Sequence, residues 1–84
     1  MKIDLFTEVA LRHDLPAAGL CRGDIATLID YLPATLASGG EEGCILEVFN
    51  AIGESIAVVT VPVSTIEPLQ ASEVLSVRPF VRAS

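Results

Sequence analysis

Apolar residues along this chain come in short bursts at alternating positions, and the bursts are closed by glycine, proline or a polar cluster. That rhythm limits what the chain can build. A helix burying one face needs apolar positions at i, i+3, i+4 and i+7 over roughly ten residues or more. Alternation with a period of two over roughly four to eight residues predicts strands instead. The longest apolar run, Ile56 to Val63, contains Thr60 and Pro62 and is far too short to span a bilayer.

The pattern predicts a first strand over Leu5–Leu11, with Leu5, Val9 and Leu11 on one face and Glu8 on the other. Pro16 and Gly19 break any regular element between Arg12 and Leu20, so an excursion loop is expected there. Arg22-Gly23-Asp24 reads as a tight turn with Gly23 at positive φ. A second strand is expected over Ile25–Leu32, with Ile25, Thr27, Ile29 and Tyr31 on one face. Ala34–Ala37 could make one helical turn, and Ser38–Gly43 is small, acidic and read as a mobile loop. Cys44–Phe49 and Ser55–Val61 follow as third and fourth strands, joined by a hairpin with Gly53 at its positive-φ position. Pro62–Leu69 predicts a 3₁₀ turn leading into a brief fifth strand. In the tail, Val74–Val77 could add another strand and Arg78–Val81 is apolar enough to dock.

About five short strands, a long first loop and a 3₁₀ turn before the last strand point to a mostly β, small, partly open SH3-like barrel. An OB-type barrel carries a helix between its third and fourth strands, and the tight hairpin at Asn50–Glu54 leaves no room for one. The expected organisation is a barrel domain over residues 1–69 and a C-terminal extension over 70–84, either a docked strand or an interface tail.

One set of segments has a further likeness: Asp14-Leu15-Pro16, Gly19-Leu20 and Gly23 through Ile29, then Leu46-Glu47-Val48-Phe49, Gly53 through Thr60, Val61-Pro62 and Ile66 through Leu69. In this order and spacing they resemble a bacterial family described only as "domain of unknown function 4926", over roughly Ile3 to Leu69. The resemblance implies an SH3-like barrel and no activity, and it carries over no catalytic or ligand residue. Ala26 stands where the family pattern has glycine, and the Gly39-Gly40-Glu41-Glu42 loop is longer than in that pattern.

Charge and size exclude several functions. The chain has 84 residues, 51% of them hydrophobic and only 19% charged. A domain this short has a thin core and usually needs help from disulfides, a metal or a partner subunit. Two cysteines, Cys21 and Cys44, are too few and too far apart for a disulfide scaffold or a zinc motif. No cofactor is expected, and subunit association is the expected help. The net charge of −6 opposes contact with nucleic-acid phosphates and with anionic membranes. The N-terminus turns acidic at Asp4 and does not read as a secretory leader, which predicts a cytoplasmic protein.

The candidate site residues are few. His13 beside Asp14 could form a general base oriented by a carboxylate, but no nucleophile is placed near it. Cys21 and Cys44 could meet across the barrel, or serve as core hydrophobes. Arg22-Gly23-Asp24 spells an adhesion tripeptide and reads as a turn. Glu41, Glu42, Glu47 and Glu54 form an acidic set without the spacing of a calcium site. The third strand carries apolar residues on both faces, with Ile45 and Phe49 opposite Cys44, Leu46 and Val48. A partner subunit or the chain's own tail is needed to cover that second face.

The expectation is therefore a non-catalytic protein-interaction module, a homodimer or a subunit of an assembly, with contacts through Ile45, Phe49, Leu75, Val77, Phe80 and Val81. In that expectation Arg78 and Arg82 meet the acidic set, and the protein partner is a second copy or another protein. The alternative is an antitoxin-like, immunity-like or ligand-binding regulatory protein, an accessory product of a mobile element.

Overall fold

A computed structural model describes residues 2–81. The strands are β1 (Glu8–Leu11), β2 (Ile25–Leu32), β3 (Gly43–Phe49), β4 (Ser55–Pro62) and β5 (Ile66–Pro68). They form one antiparallel sheet in the order β4-β3-β2-β1-β5. Two 3₁₀ turns interrupt it, Pro16–Ala18 between β1 and β2 and Val63–Thr65 between β4 and β5.

Curvature follows from that order. β4 and β5 are the two outer strands of a five-stranded sheet. In a flat sheet they would stand at least about 19 Å apart, four spacings of about 4.8 Å. The three residues between them reach about 14 Å even when fully extended. The sheet therefore curls until its edges approach, and because β4 and β5 do not pair, the barrel stays partly open. Hydrogen bonds fix the link in place: Arg12 N donates to Thr65 O at 2.7 Å and Val63 N to Glu42 O at 2.9 Å. Ser64 N donates to the Glu41 carboxylate at 2.8 Å.

The core lies inside the curl. Leu28 faces Leu46 across β2 and β3, and Leu46 faces Val59 across β3 and β4. Val9, Leu28, Cys44 and Leu46 are each 0% exposed. Leu20 closes one end from the first excursion, which Leu15 and Leu20 pin with paired backbone bonds of 2.8 and 3.1 Å. The expected alternation holds on β3, where Cys44, Leu46 and Val48 are buried. On β2 it changes phase. Ile29 is an extra residue between the pairs Leu28–Leu46 and Asp30–Ile45, and a bulge of this kind bends the strand and switches its faces. The core face is thus Ala26 and Leu28 before the bulge and Tyr31 after it, so Ile25, Thr27, Ile29 and Tyr31 do not share one face as expected. The Tyr31 hydroxyl reaches out of the core and donates to Ile3 O at 2.7 Å.

Other boundaries also move. The first strand starts at Glu8, not Leu5, because Phe6 adopts φ 64 and turns the chain, leaving Leu5 and Phe6 exposed. The first excursion contains a real 3₁₀ turn, with Pro16 presetting its first φ and Gly19 closing it at φ 72. The turn expected at Ala34–Ala37 lies slightly later, with Ser38 N on Thr35 O at 3.2 Å and Gly39 N on Leu36 O at 3.1 Å. Val74–Val77 forms no strand. The sheet edge beside it is the three-residue β5, which ends in Pro68, and proline has no N–H to give to a ladder.

Replacing Leu46 by alanine, at a position with no exposure, is expected to lower unfolding free energy by about 2–5 kcal/mol. A urea titration against the parent chain measures this. A loss below about 1 kcal/mol would mean that Leu46 is not central to the core.

Candidate functional site

The tail after β5 returns to the barrel and is held there by one polar latch and one ring. Arg78 Nε donates to Asp24 Oδ1 at 2.9 Å, and Arg78 Nη2 bonds the other carboxylate oxygen. The same Nη2 also donates to Gly19 O at 3.1 Å. This is a two-point fork on a carboxylate, the geometry that guanidinium is built for. Asp24 is aimed by its own turn, where Cys21 N donates to Asp24 Oδ2 at 2.7 Å and Gly23 adopts φ 90. Partial burial pushes the Asp24 pKa up, but the Arg78 hydrogen bond and the Cys21 N–H outweigh it and hold the carboxyl below its ordinary value. Two residues beyond Arg78, Phe80 packs against the core.

The latched tail makes a groove. One wall is Leu75, Val77, Arg78 and Phe80, the other is Leu20, Val48, Phe49 and Ile56, and together they enclose about 580 Å³. A smaller cavity of about 360 Å³ lies between residues 73–76 of the tail and Ala10, Leu11 and Ile25. The tail therefore straps across the barrel beside the end of β1 and the start of β2, with open space on both sides. Its own apolar side chains stay largely in solvent: Leu75 is 65% exposed and Val77 92%, with Phe49 opposite at 43%.

Of the six expected contact residues, Phe49, Leu75, Val77 and Phe80 line this one groove. Ile45 does not line it; it sits half-buried on the outer face of β3, between Asp30 and Thr60. Val81 is exposed and does not line the groove either. The expected partners of Arg78 are corrected. It does not meet the acidic set but Asp24, because the tail crosses the barrel at the Arg22–Asp24 turn. Arg82 lies outside the described residues.

Each member of the acidic set has its own place. Glu42 accepts from Lys2 Nζ at 2.6 Å, Glu41 anchors Ser64, and Glu54 accepts from Asn50 Nδ2 at 2.8 Å. Glu47 faces Thr27 and Val58 on the outside of the sheet. Among the described residues, no three His, Cys, Asp or Glu side chains lie together as a metal site would require. His13 is exposed, and the carboxylate of Asp14 is engaged by Arg22 N at 2.8 Å. Both cysteines are free thiols, Cys21 exposed and Cys44 in the core. The aspartate of the Arg-Gly-Asp tripeptide is taken up by Arg78, so that turn serves as the tail's anchor.

The sequence pattern missed Leu20, Val48 and Ile56 as groove lining, since each reads as ordinary core. It also missed Asp24 as the latch. The legible signal was an aspartate held in a glycine turn, and nothing in the sequence paired it with an arginine 54 positions away.

The family described as "Domain of unknown function (DUF4926)" matches residues 5–68, most of the chain and all five strands. Among curated proteins and solved structures, none matches. Among the described residues, no helix is long and apolar enough to cross a membrane.

The latch and the thiols each lead to a measurable outcome. Because the folded Asp24 carboxyl lies below its ordinary value of about 4, its contribution is present above that value. It is lost as pH falls through the lowered folded value. The ring resonances of Phe80, which packs against the core, are expected to move toward their unfolded-chain shifts on acidification below about pH 4, and in Arg78→Ala already at neutral pH. Phe80 shifts unchanged in Arg78→Ala would mean that Phe80 alone holds the strap. Burial, with Glu41 and Glu42 nearby, pushes the Cys44 thiol up to about 11, so a thiol reagent at neutral pH is expected to modify Cys21 alone in the native protein and both cysteines after unfolding. Rapid native labelling of Cys44 would overturn this.

Proposed function

We propose that this chain, which belongs to the DUF4926 family, is a non-catalytic protein-interaction module whose partner docks in the groove between the β3–β4 hairpin and the latched tail. The observation that carries this reading is the convergence of exposed apolar side chains from two segments far apart in sequence. Phe49, Leu75 and Val77 line one groove at 43%, 65% and 92% exposure, and Ile52 stands 81% exposed at the hairpin tip beside Asn50 and Ala51 of that wall. Clustered apolar exposure of this kind marks contact surfaces. Full burial of each large side chain contributes about 1.5–3 kcal/mol. The Arg78 fork supports the reading further, because a tail already ordered costs less entropy when a partner binds.

The occupant that suits this groove is an extended apolar segment of another protein, flanked by basic residues. A net charge of −6 favours a basic partner and speeds its approach, and it disfavours nucleic acid. The strand order, with a 3₁₀ turn before the last strand, supports reading the fold as an SH3-like barrel. The groove differs from the polyproline floor of an SH3 domain, which is paved with aromatic rings; here Phe49 and Phe80 are the aromatics lining it. Two free thiols suit a reducing cytoplasm.

The test is affinity capture from the source cell with three variants of the full chain. Phe49→Ser and Val77→Ser are expected to weaken retention of a specific protein at least about tenfold, the scale of a hot-spot residue. Leu36→Ser removes an equally apolar side chain that is 100% exposed elsewhere and is expected to change nothing. A partner retained equally by all three would remove the groove from consideration.

A further inference from the structure

The two edges of the sheet are not alike. β5 is three residues long, contains Glu67 and ends in Pro68, which are the usual devices that keep an edge from pairing. β4 is eight residues long, Ser-Ile-Ala-Val-Val-Thr-Val-Pro, and carries no charged residue. Five of its eight residues are valine, isoleucine or threonine, the residues that suit a strand best.

Its outward backbone groups can be assigned. Val63 N donates to Glu42 O, and the same register pairs Val61 with Cys44, Val59 with Leu46 and Ala57 with Val48. In an antiparallel ladder alternate residues bond the same neighbour. Ala57, Val59 and Val61 therefore bond β3, while Val58 and Thr60 direct their N–H and C=O groups to the open side. Pro62 has the same outward phase and no N–H to offer. Among the described residues, none of the other backbone hydrogen bonds reaches Val58 or Thr60. Val58 is 61% exposed, and Thr60 is exposed as well.

We propose that the outer edge of β4 pairs antiparallel with the same edge of a second copy of this chain, Val58 of one copy facing Thr60 of the other, so that one sheet runs through both. The register follows from two boundaries. Ile56 is an extra residue between Ala57 and Ser55 in the pairing with β3, so the edge is irregular on that side. Pro62 ends the donors on the other side. Val58 and Thr60 remain as the regular outward pair, and the pairing that uses both in both copies is the two-fold one centred on Val59. It forms about four backbone hydrogen bonds and sets β-branched side chains against one another on both faces.

A second copy fits this edge better than an unrelated strand because the seam is its own complement. Valine and threonine meet threonine and valine, and no charge enters the seam from either side. The net charge of −6 on each copy acts only at longer range, where salt screens it. Association is therefore expected to tighten as salt rises, the reverse of an interface held by ion pairs. The seam is also separate from the groove lined by Phe49, so each surface can fail without the other.

Sedimentation equilibrium from roughly 10 μM to 1 mM, together with amide exchange, tests the proposal. These concentrations span the weak affinities expected of a small interface. The full chain is expected to approach twice its 8.8 kDa mass, with exchange at the Val58 and Thr60 amides slowing as concentration rises. Thr60→Pro removes an outward donor from both copies, and Val58→Lys places a charge on an exposed edge position. Each is expected to weaken the dimer at least about tenfold, with the Val58→Lys chain keeping the melting temperature that the parent has at dilutions where it is monomeric. Phe49→Ser is expected to dimerise like the parent. A parent chain that stays monomeric throughout, two edge variants that dimerise as tightly as the parent, or a dimer lost in Phe49→Ser alone would each overturn the proposal.

Discussion

The constraint on which this structure depends is the short link between its outermost strands. Val63–Thr65 must join β4 to β5, and a flat sheet would hold those strands too far apart for three residues to bridge. Curling solves the problem, and other features follow from it. β2 crosses the middle of the sheet and must bend; the extra residue at Ile29 supplies that bend and brings Tyr31 round to the core side. The Glu41-Glu42 segment lies where the link passes, so its carboxylate and carbonyl groups receive Ser64 N and Val63 N. Of the acidic set, Glu41 thus moors the link through its side chain and Glu42 through its backbone carbonyl.

Strand existence was legible in the sequence because period-two burial is a local property. Cys44–Phe49 alternates as expected, and Val63–Thr65 followed by Ile66–Pro68 reproduces the expected turn and brief strand. The failures share a cause: they concern places where a tertiary contact overrides the local pattern. Period counting cannot see a bulge, so it sets Tyr31 on the same face as Ile25 and Thr27, which the extra residue at Ile29 separates. Leu5 and Phe6 look like strand, yet Phe6 N is spent on Leu28 O at 2.6 Å, and the chain turns there. Val74–Val77 has a strand's composition, but the edge beside it is the three-residue β5, which ends in Pro68. The candidate site was legible in its apolar half, Phe49 with Leu75, Val77 and Phe80, and illegible in its polar half. Composition says that apolar residues need cover, whereas the choice of Asp24 by Arg78 depends on where the tail crosses.

That crossing explains why the tail is docked yet mostly unburied. A strap held by apolar contact would hide its valines. This one keeps Val74 and Val77 at 90% and 92% exposure and is secured at two points, the Arg78 fork and the Phe80 ring. An exposed ion pair alone contributes little, about 0–1 kcal/mol. Here the carboxylate is aimed in advance by the Cys21 N–H, and the guanidinium spans Asp24 and Gly19 at once, so less side-chain freedom is lost per bond. A latch of this kind fixes position while leaving the apolar surface free for another molecule.

Two unlike surfaces result, and their separation has a mechanical origin. The groove belongs to the end of the barrel where the β3–β4 hairpin and the tail meet; the free ladder of β4 belongs to its side. In the proposed pairing, antiparallel β4 strands would place the hairpins of two copies at opposite ends of the seam and leave the groove of each copy out of the seam. A pair built on the grooves themselves would instead bury Phe49, Leu75 and Val77 and leave both β4 edges exposed to further pairing, a route to open-ended association. The proposed pairing through β4 would close after two copies, because among the described residues it consumes the one long free edge of the sheet. The remaining edge, β5, is short, carries Glu67 and ends in proline, so a continuous sheet built in this way has protected strands at both ends.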